Sequence, residues 1–212
     1  MKIEVVRDIL DANAQCAAEN AALFRRLGLV AVNVMASPGA GKTSLIISTI
    51  KALDIPVAVI EGDIASTVDA QAVAAEQVPV VEINTGGACH LDAAMVRQAL
   101  ARLQVQGARF LFIENVGNLV CPVEFPLGEQ VRVLVASVPE GDDKPLKYPG
   151  IFSAVQAVVL NKTDLLPHVD FDLSRYRSLV RGVNPQVPVF EVSCRTGHGL
   201  DVWLHWLRDL AA

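Results

Sequence analysis

The sequence predicts an α/β fold: a doubly wound, mainly parallel sheet flanked by helices. Three observations predict it. Apolar runs of strand length alternate with helix-like stretches along the chain, as successive βαβ units require. Several runs, notably 131–136 and 155–160, are apolar nearly throughout, the pattern of strands buried on both faces of a parallel sheet. A glycine-rich turn, Ala36-Ser37-Pro38-Gly39-Ala40-Gly41-Lys42-Thr43, follows the first such run, at the carboxyl end of a strand, where these folds bind ligands.

The elements follow in order. Val6, Leu10, Ala14, Ala17, Ala21 and Phe24 recur at helical spacing, and Gly28 reads as the stop because it accepts left-handed geometry without steric cost. Strands are then expected at 30–36, 56–61, 79–83, 109–114, 131–138, 156–160 and 187–191. Helices are expected near 42–53, 66–76, 91–104, 172–182 and 199–211. Trp203, Trp206 and Leu207 read as core contacts of the last helix and His205 as its exposed face. The polar run 139–144 is too short to divide two domains, so residues 1–212 are read as one domain preceded by a helix over about 1–28.

Composition narrows the function classes. A hydrophobic fraction of 52% with 19% charged residues excludes a disordered chain. No apolar run reaches the roughly 18 residues that span a bilayer, and the charged N-terminus reads as neither signal peptide nor anchor. A net charge of -5 leaves no basic footprint for nucleic acid. Four cysteines are too sparse for a disulfide scaffold, so a cytoplasmic location with free thiols is expected.

The turn at 36–43 has the make-up of a P-loop. Gly39, Ala40 and Gly41 leave room for converging backbone N–H donors, and the helix behind them adds its positive N-terminal end. Lys42 is expected to bridge the β- and γ-phosphates, with Thr43 on Mg²⁺ and Ser44 beside it. Ala36 stands where the usual pattern has glycine. Asn161-Lys162-Thr163-Asp164 follows another apolar run. There Asp164 can accept two hydrogen bonds from the N1–H and N2–H₂ edge of guanine, which adenine does not offer. Ser193, Cys194 and Arg195 resemble the last guanine-contacting loop of GTPases. Together these motifs imply a GTP-binding switch protein. Asp63, in Glu61-Gly62-Asp63, is expected at Mg²⁺, Glu114 closes a neighbouring strand, and Gly117 can offer its N–H to a γ-phosphate. Asn118 occupies the place where a fast GTPase carries a water-orienting glutamine, so slow hydrolysis is expected.

Cys89-His90 is the remaining signal. Thiolate and imidazole suit Zn²⁺ and Ni²⁺, and Gly86-Gly87 keeps the loop open. From spacing alone, Cys89 reads equally as a small core hydrophobe and His90 as a helix-capping side chain. Cys16 and Cys194 read as structural. Lys144 and Lys147 read as a solvated charge cluster, with Lys147 reaching across a dimer interface as the competing idea.

The motifs at 37–43, 61–63, 88–91, 114–122, 143–149 and 161–164 together resemble the HypB family of hydrogenase nickel-incorporation GTPases, in the SIMIBI class of P-loop proteins. The resemblance covers nearly the whole chain, and the stretch 114–122 is highly specific. It implies a GTP-hydrolysing metallochaperone for [NiFe]-hydrogenase that forms a homodimer on binding GTP. Cys89, His90 and Cys121 match residues that bind nickel or zinc at the subunit interface. A zinc-binding HypA-like partner and the hydrogenase large subunit are the implied partners. The N-terminal cysteine cluster and histidine-rich tract of many relatives do not occur in this sequence. A urease-maturation GTPase, a cobalamin-enzyme chaperone, a nucleotide-gated metal scaffold and a ParA-like ATPase are the competing readings. The urease type carries Cys-Pro-His rather than adjacent Cys89-His90.

Overall fold

A computed structural model describes residues 5–64 and 67–212, with side chains from residue 8 onward. Seven parallel strands form one sheet in the order β3-β2-β4-β1-β5-β6-β7. They are β1 (Val30–Ala36), β2 (Val57–Asp63), β3 (Val80–Asn84), β4 (Phe110–Glu114), β5 (Val131–Ser137), β6 (Ala157–Asn161) and β7 (Val189–Glu191). Eight α-helices accompany them among the described residues: α1 (Val5–Leu27), α2 (Lys42–Ala52), α3 (Val68–Ala74), α4 (Ala93–Leu100), α5 (Lys144–Lys147), α6 (Pro149–Ala154), α7 (Leu173–Val183) and α8 (Leu200–Ala211).

The central strands are buried on both faces, which explains their unbroken apolar character. Alternate residues point to opposite layers. Val32 and Val34 pack with Leu45 and Ile46 of α2 and Trp203 and Leu207 of α8. On the other face Ala31 joins Phe24 of α1 and Val96 of α4, while Met35 joins Phe152 of α6 and Tyr176 of α7. The Trp203 indole N–H donates to Thr49 Oγ1 at 2.9 Å, so α8 is fixed to α2 by a polar contact as well as by area.

Several expectations are corrected. The buried stripe of α1 is Asn13, Ala17, Asn20 and Phe24, and Ala14 faces solvent; the side chain of Val6 lies outside the described residues. The two asparagines are buried because they are satisfied. Asn13 donates to Pro126 O and accepts from Ala93 N, and Asn20 donates to Ala93 O and Leu127 O, at 2.8–2.9 Å throughout. Gly28 does end α1, with φ of 70° and the Leu29 N–H returning to Phe24 O at 2.9 Å. The helix expected over 91–104 is seen as Ala93–Leu100; its start is fixed by the Asp92 carboxylate, which caps it by accepting from Met95 N at 2.7 Å. The helix expected over 66–76 is seen as α3 from Val68, and position 66 lies outside the described residues. The strand expected at 56–61 runs on to Asp63, and the one expected at 187–191 begins only at Val189. The polar run 139–144 is not an open loop: it forms a 3₁₀ turn and enters α5.

Candidate functional site: a nucleotide cleft beside a sulfur corner

β1 is the central strand, and its carboxyl end feeds the glycine-rich turn into α2. Ala36 is fully buried in the core, so its methyl group is accommodated in place of glycine. Gly41 has φ of 101°, and a Cβ there would lie 2.4 Å from Asn161 Nδ2. Only glycine meets both conditions. The Asn161 amide donates to Ala40 O at 3.1 Å, and Lys162 Nζ donates to Gly39 O at 2.7 Å. The two nucleotide motifs are therefore joined directly. Asn161 is buried and holds the loops together; its Oδ1 accepts from Lys162 N at 2.7 Å and Cys194 N at 3.3 Å. Asp164 keeps one oxygen on the Ser193 hydroxyl at 2.7 Å, which orients its carboxylate beside the loop of Cys194 and Arg195.

A second anchor on the phosphate loop went unread in the sequence. The Ser37 hydroxyl donates to Glu140, whose other oxygen accepts from Ser137 N at 2.8 Å and Ser137 Oγ at 2.9 Å. Lys144 lies 3.5 Å from the same carboxylate and over the Tyr148 ring at 5.2 Å. Lys147 is more exposed and pairs with Asp143 at 2.6 Å, holding that carboxyl below its ordinary pKa.

The acidic corner forms where β2 and β4 run side by side, with Glu61 in register with Glu114. Glu114 accepts from Thr43 Oγ1 at 2.8 Å and lies 3.9 Å from Lys42 Nζ. Glu61, Asp69 and Glu114 bring carboxylate oxygens within 4.8 Å of one another. Glu61 and Glu114 are buried, and the Oε2 atom of each has no hydrogen-bond partner. Burial, reinforced by the Glu114 charge, pushes Glu61 up to about 8. Burial also raises Glu114, to about 7, against the opposing pull of Lys42 and the Thr43 hydrogen bond. Asp63, the expected Mg²⁺ residue, ends β2 half-buried and outside this trio. Glu61 and Asp69 were not singled out from sequence; the alternation of Glu61 with Asp63 in one strand was the available signal, whereas α3 carried none for Asp69.

The sulfur corner lies beyond the same strand ends. Cys89, His90 and Cys121 offer ligand atoms within 4.8 Å of one another. The two Sγ atoms are 3.1 Å apart, and Cys89 Sγ is 3.7 Å from His90 Nδ1. The His90 ring packs against Phe125 in a tilted arrangement, with centroids 3.9 Å apart. Burial lowers its pKa, with Asp92 pulling the other way, which favours the neutral imidazole that can offer a lone pair. Neither the core reading of Cys89 nor the capping reading of His90 holds: Cys89 is exposed, and Asp92 caps α4. Contact with Cys89, and then burial, raises the Cys121 thiol. Cys16 and Cys194 lie half-buried away from this group.

Asn115 ties this corner to the nucleotide cleft. Its Oδ1 accepts from Leu91 N at 3.1 Å and Val116 N at 3.0 Å, and its Nδ2 donates to Asn33 Oδ1 at 3.2 Å. A Cβ on Gly62 would lie 2.8 Å from the Leu91 side chain, and one on Gly117 would lie 3.0 Å from Pro38. The phosphate loop thus lies close against the segment after β4, and the end of β2 close against the residue after His90. Asn118 turns its Oδ1 to Val120 N at 2.8 Å.

Comparison with known proteins identifies the family. The family model described as "CobW/HypB/UreG, nucleotide-binding domain" matches residues 30–191. The hydrogenase maturation factor HypB of Azotobacter vinelandii is 52% identical over 208 residues, covering 97% of this chain and 69% of that protein. The fold is similar to HypB from Helicobacter pylori in complex with nickel, with TM-score 0.90, 34% identity and coverage of 94% of this chain and 95% of that one. For HypB from Archaeoglobus fulgidus the TM-score is 0.89 at 37% identity, covering 95% of this chain and 100% of that one. The chain belongs to the HypB branch of the CobW/HypB/UreG nucleotide-binding family.

Proposed function

We propose that this chain is a GTP-hydrolysing metallochaperone that assists nickel insertion during [NiFe]-hydrogenase maturation, acting as one domain over residues 1–212. The observation that carries the reading is the Cys89–His90–Cys121 group beside the nucleotide cleft, joined to it through Leu91 and Asn115. The name and nickel complex of its relatives agree with it.

Each residue then has a stated task. Gly39, Ala40 and Gly41 line the phosphate cradle with backbone N–H groups, and Lys42 stabilises charge on the transferring phosphoryl group. Ser44 lies in the first turn of the helix below. Asp164 selects guanine, Ser193 fixes its carboxylate, and Asn161 and Lys162 hold the base loop against the cradle. Cys194 and Arg195 close the base side. Gly117 presents its N–H toward the γ-phosphate. The buried oxygens of Glu61 and Glu114, with the Asp69 carboxylate and the Thr43 hydroxyl, form a hard-oxygen setting that fits Mg²⁺, and Asp63 at the end of β2 is a further candidate ligand. When bound, Mg²⁺ neutralises charge on the β- and γ-phosphates. Asn118, engaged with Val120, leaves the attacking water without a dedicated glutamine, which supports slow intrinsic hydrolysis.

Nickel is cargo rather than a resident cofactor, and zinc fits the same donors. One chain supplies only three soft ligands, fewer than a closed four-ligand shell. A twofold homodimer doubles the count, so GTP-dependent dimerisation and metal binding are coupled. A HypA-like zinc protein and the hydrogenase large subunit are the partners this reading implies, in the cytoplasm. Among the described residues no helix is long and apolar enough to cross a membrane.

The test is light scattering with GDP and with a non-hydrolysable GTP analogue, each with and without nickel, joined to metal analysis. A dimer only with the analogue, and nickel lost on replacing Cys89 and His90, is the expected result. Preference for ATP over GTP in calorimetry would sink the reading. Turnover with no nickel transfer would mark a scaffold instead of a chaperone.

A further inference from the structure

We propose that Cys89 and Cys121 form a reversible disulfide, making the sulfur corner a thiol switch that oxidation closes against metal. The two thiols come from segments 32 residues apart, yet their Sγ atoms meet at 3.1 Å. Bond formation requires the sulfurs to approach by only about 1 Å more, to about 2.05 Å. The backbone can supply that movement. Gly86 and Gly87 both hold positive φ with no neighbour within 4 Å of an added Cβ, so the loop carrying Cys89 has open space around it. On the other side Cys121 opens a short 3₁₀ turn behind Val120, which is 61% exposed. Cys89 is exposed and Cys121 half-buried, so an oxidant from solvent meets Cys89 first.

The chemistry balances with hydrogen peroxide as oxidant. The Cys89 thiolate attacks one peroxide oxygen, the O–O bond breaks, and Cys89 becomes a sulfenic acid as hydroxide leaves. The Cys121 thiolate then attacks the Cys89 sulfur and displaces the second hydroxide. With the two thiol protons taken up, two thiols and one peroxide give one disulfide and two waters. A dithiol reductant reverses the step. In the oxidised corner His90 is left without either thiolate. Closure against metal rests on the proposed nickel site, whereas formation of the bond does not. A cation bound between the sulfurs occupies their lone pairs and is expected to slow the reaction.

The experiment uses the metal-free, nucleotide-free full chain treated with hydrogen peroxide, then alkylated and analysed by intact mass and peptide mapping. Two of the four thiols are expected to disappear, with a mapped link between Cys89 and Cys121. Nickel affinity should then fall at least ~10-fold, recover with dithiothreitol, and be protected by nickel added first. In Cys121→Ser, a sulfenic acid should persist at Cys89 and react with dimedone. A link through Cys16 or Cys194, or overoxidation of Cys89 without any link, overturns the switch and leaves the nickel site untouched. A Cys89–Cys121 link that leaves nickel affinity unchanged overturns the nickel site itself.

Discussion

Glu61 shows how a single side chain can be costly to the fold and useful to the site. Its carboxyl sits beside Glu114 with one oxygen unpartnered, and burial holds its pKa near 8 against an ordinary 4.5. The folded state therefore keeps a proton that the unfolded chain releases. As pH rises from about 4.5 to about 8, this group subtracts stability from the nucleotide-free, Mg²⁺-free protein. Glu61→Gln should remove that slope, raising the thermal midpoint more at pH 8 than at pH 5 in paired melting curves. Asp164 makes the opposite kind of prediction. Its carboxylate is aimed by Ser193, so Asp164→Asn replaces an acceptor with a donor facing the guanine edge. GTP affinity should fall at least ~100-fold by calorimetry, through loss of charged hydrogen bonds.

At the scale of elements, the cradle is held by a steric condition as much as by hydrogen bonds. Gly41→Ala places a methyl carbon against Asn161 in a left-handed conformation. It should cost about 1–3 kcal/mol by denaturant titration, and nucleotide affinity should fall with it. Asp92→Ala removes the cap of α4 and should cost about 1 kcal/mol, loosening the loop that carries His90. The elements themselves were unevenly legible. Parallel strands announce themselves by unbroken apolar runs, and β1, β4, β5 and β6 were readable for that reason. The short helices α5 and α6 were not, because their prolines at the first turn and their length of a few residues leave no periodicity to detect. α1 was readable as a helix and Ala17 and Phe24 as part of its buried stripe, but not Asn13 and Asn20, since a buried asparagine declares itself only through partners 73 to 113 residues away.

Across the whole molecule, the strand order puts β1 at the centre with β4 beside it and β2 beyond β4, so the phosphate loop, the acidic corner and the sulfur corner open at one end of the sheet. Sequence carried the motifs but not this adjacency. The family resemblance grouped Cys121 with Cys89 and His90, but nothing in the local sequence signals that meeting, or that Asp69 joins Glu61 and Glu114, because both are made by chain crossings. The adjacency predicts that a change on the nucleotide side reaches the metal side. Nickel affinity measured with GDP and with a GTP analogue should differ in the parent protein. Asn115→Ala, which breaks the link to Leu91, should bring the two values within about threefold of each other.

The bond from Asn161 to Ala40 spans 121 residues. A nascent chain leaving the ribosome has made its glycine turn long before β6 emerges to brace it, so early intermediates hold an unfinished cradle. Nucleotide can stabilise only what binds it. It therefore rewards completion of synthesis rather than guiding it, and fragments ending before β6 should gain no thermal protection from GTP.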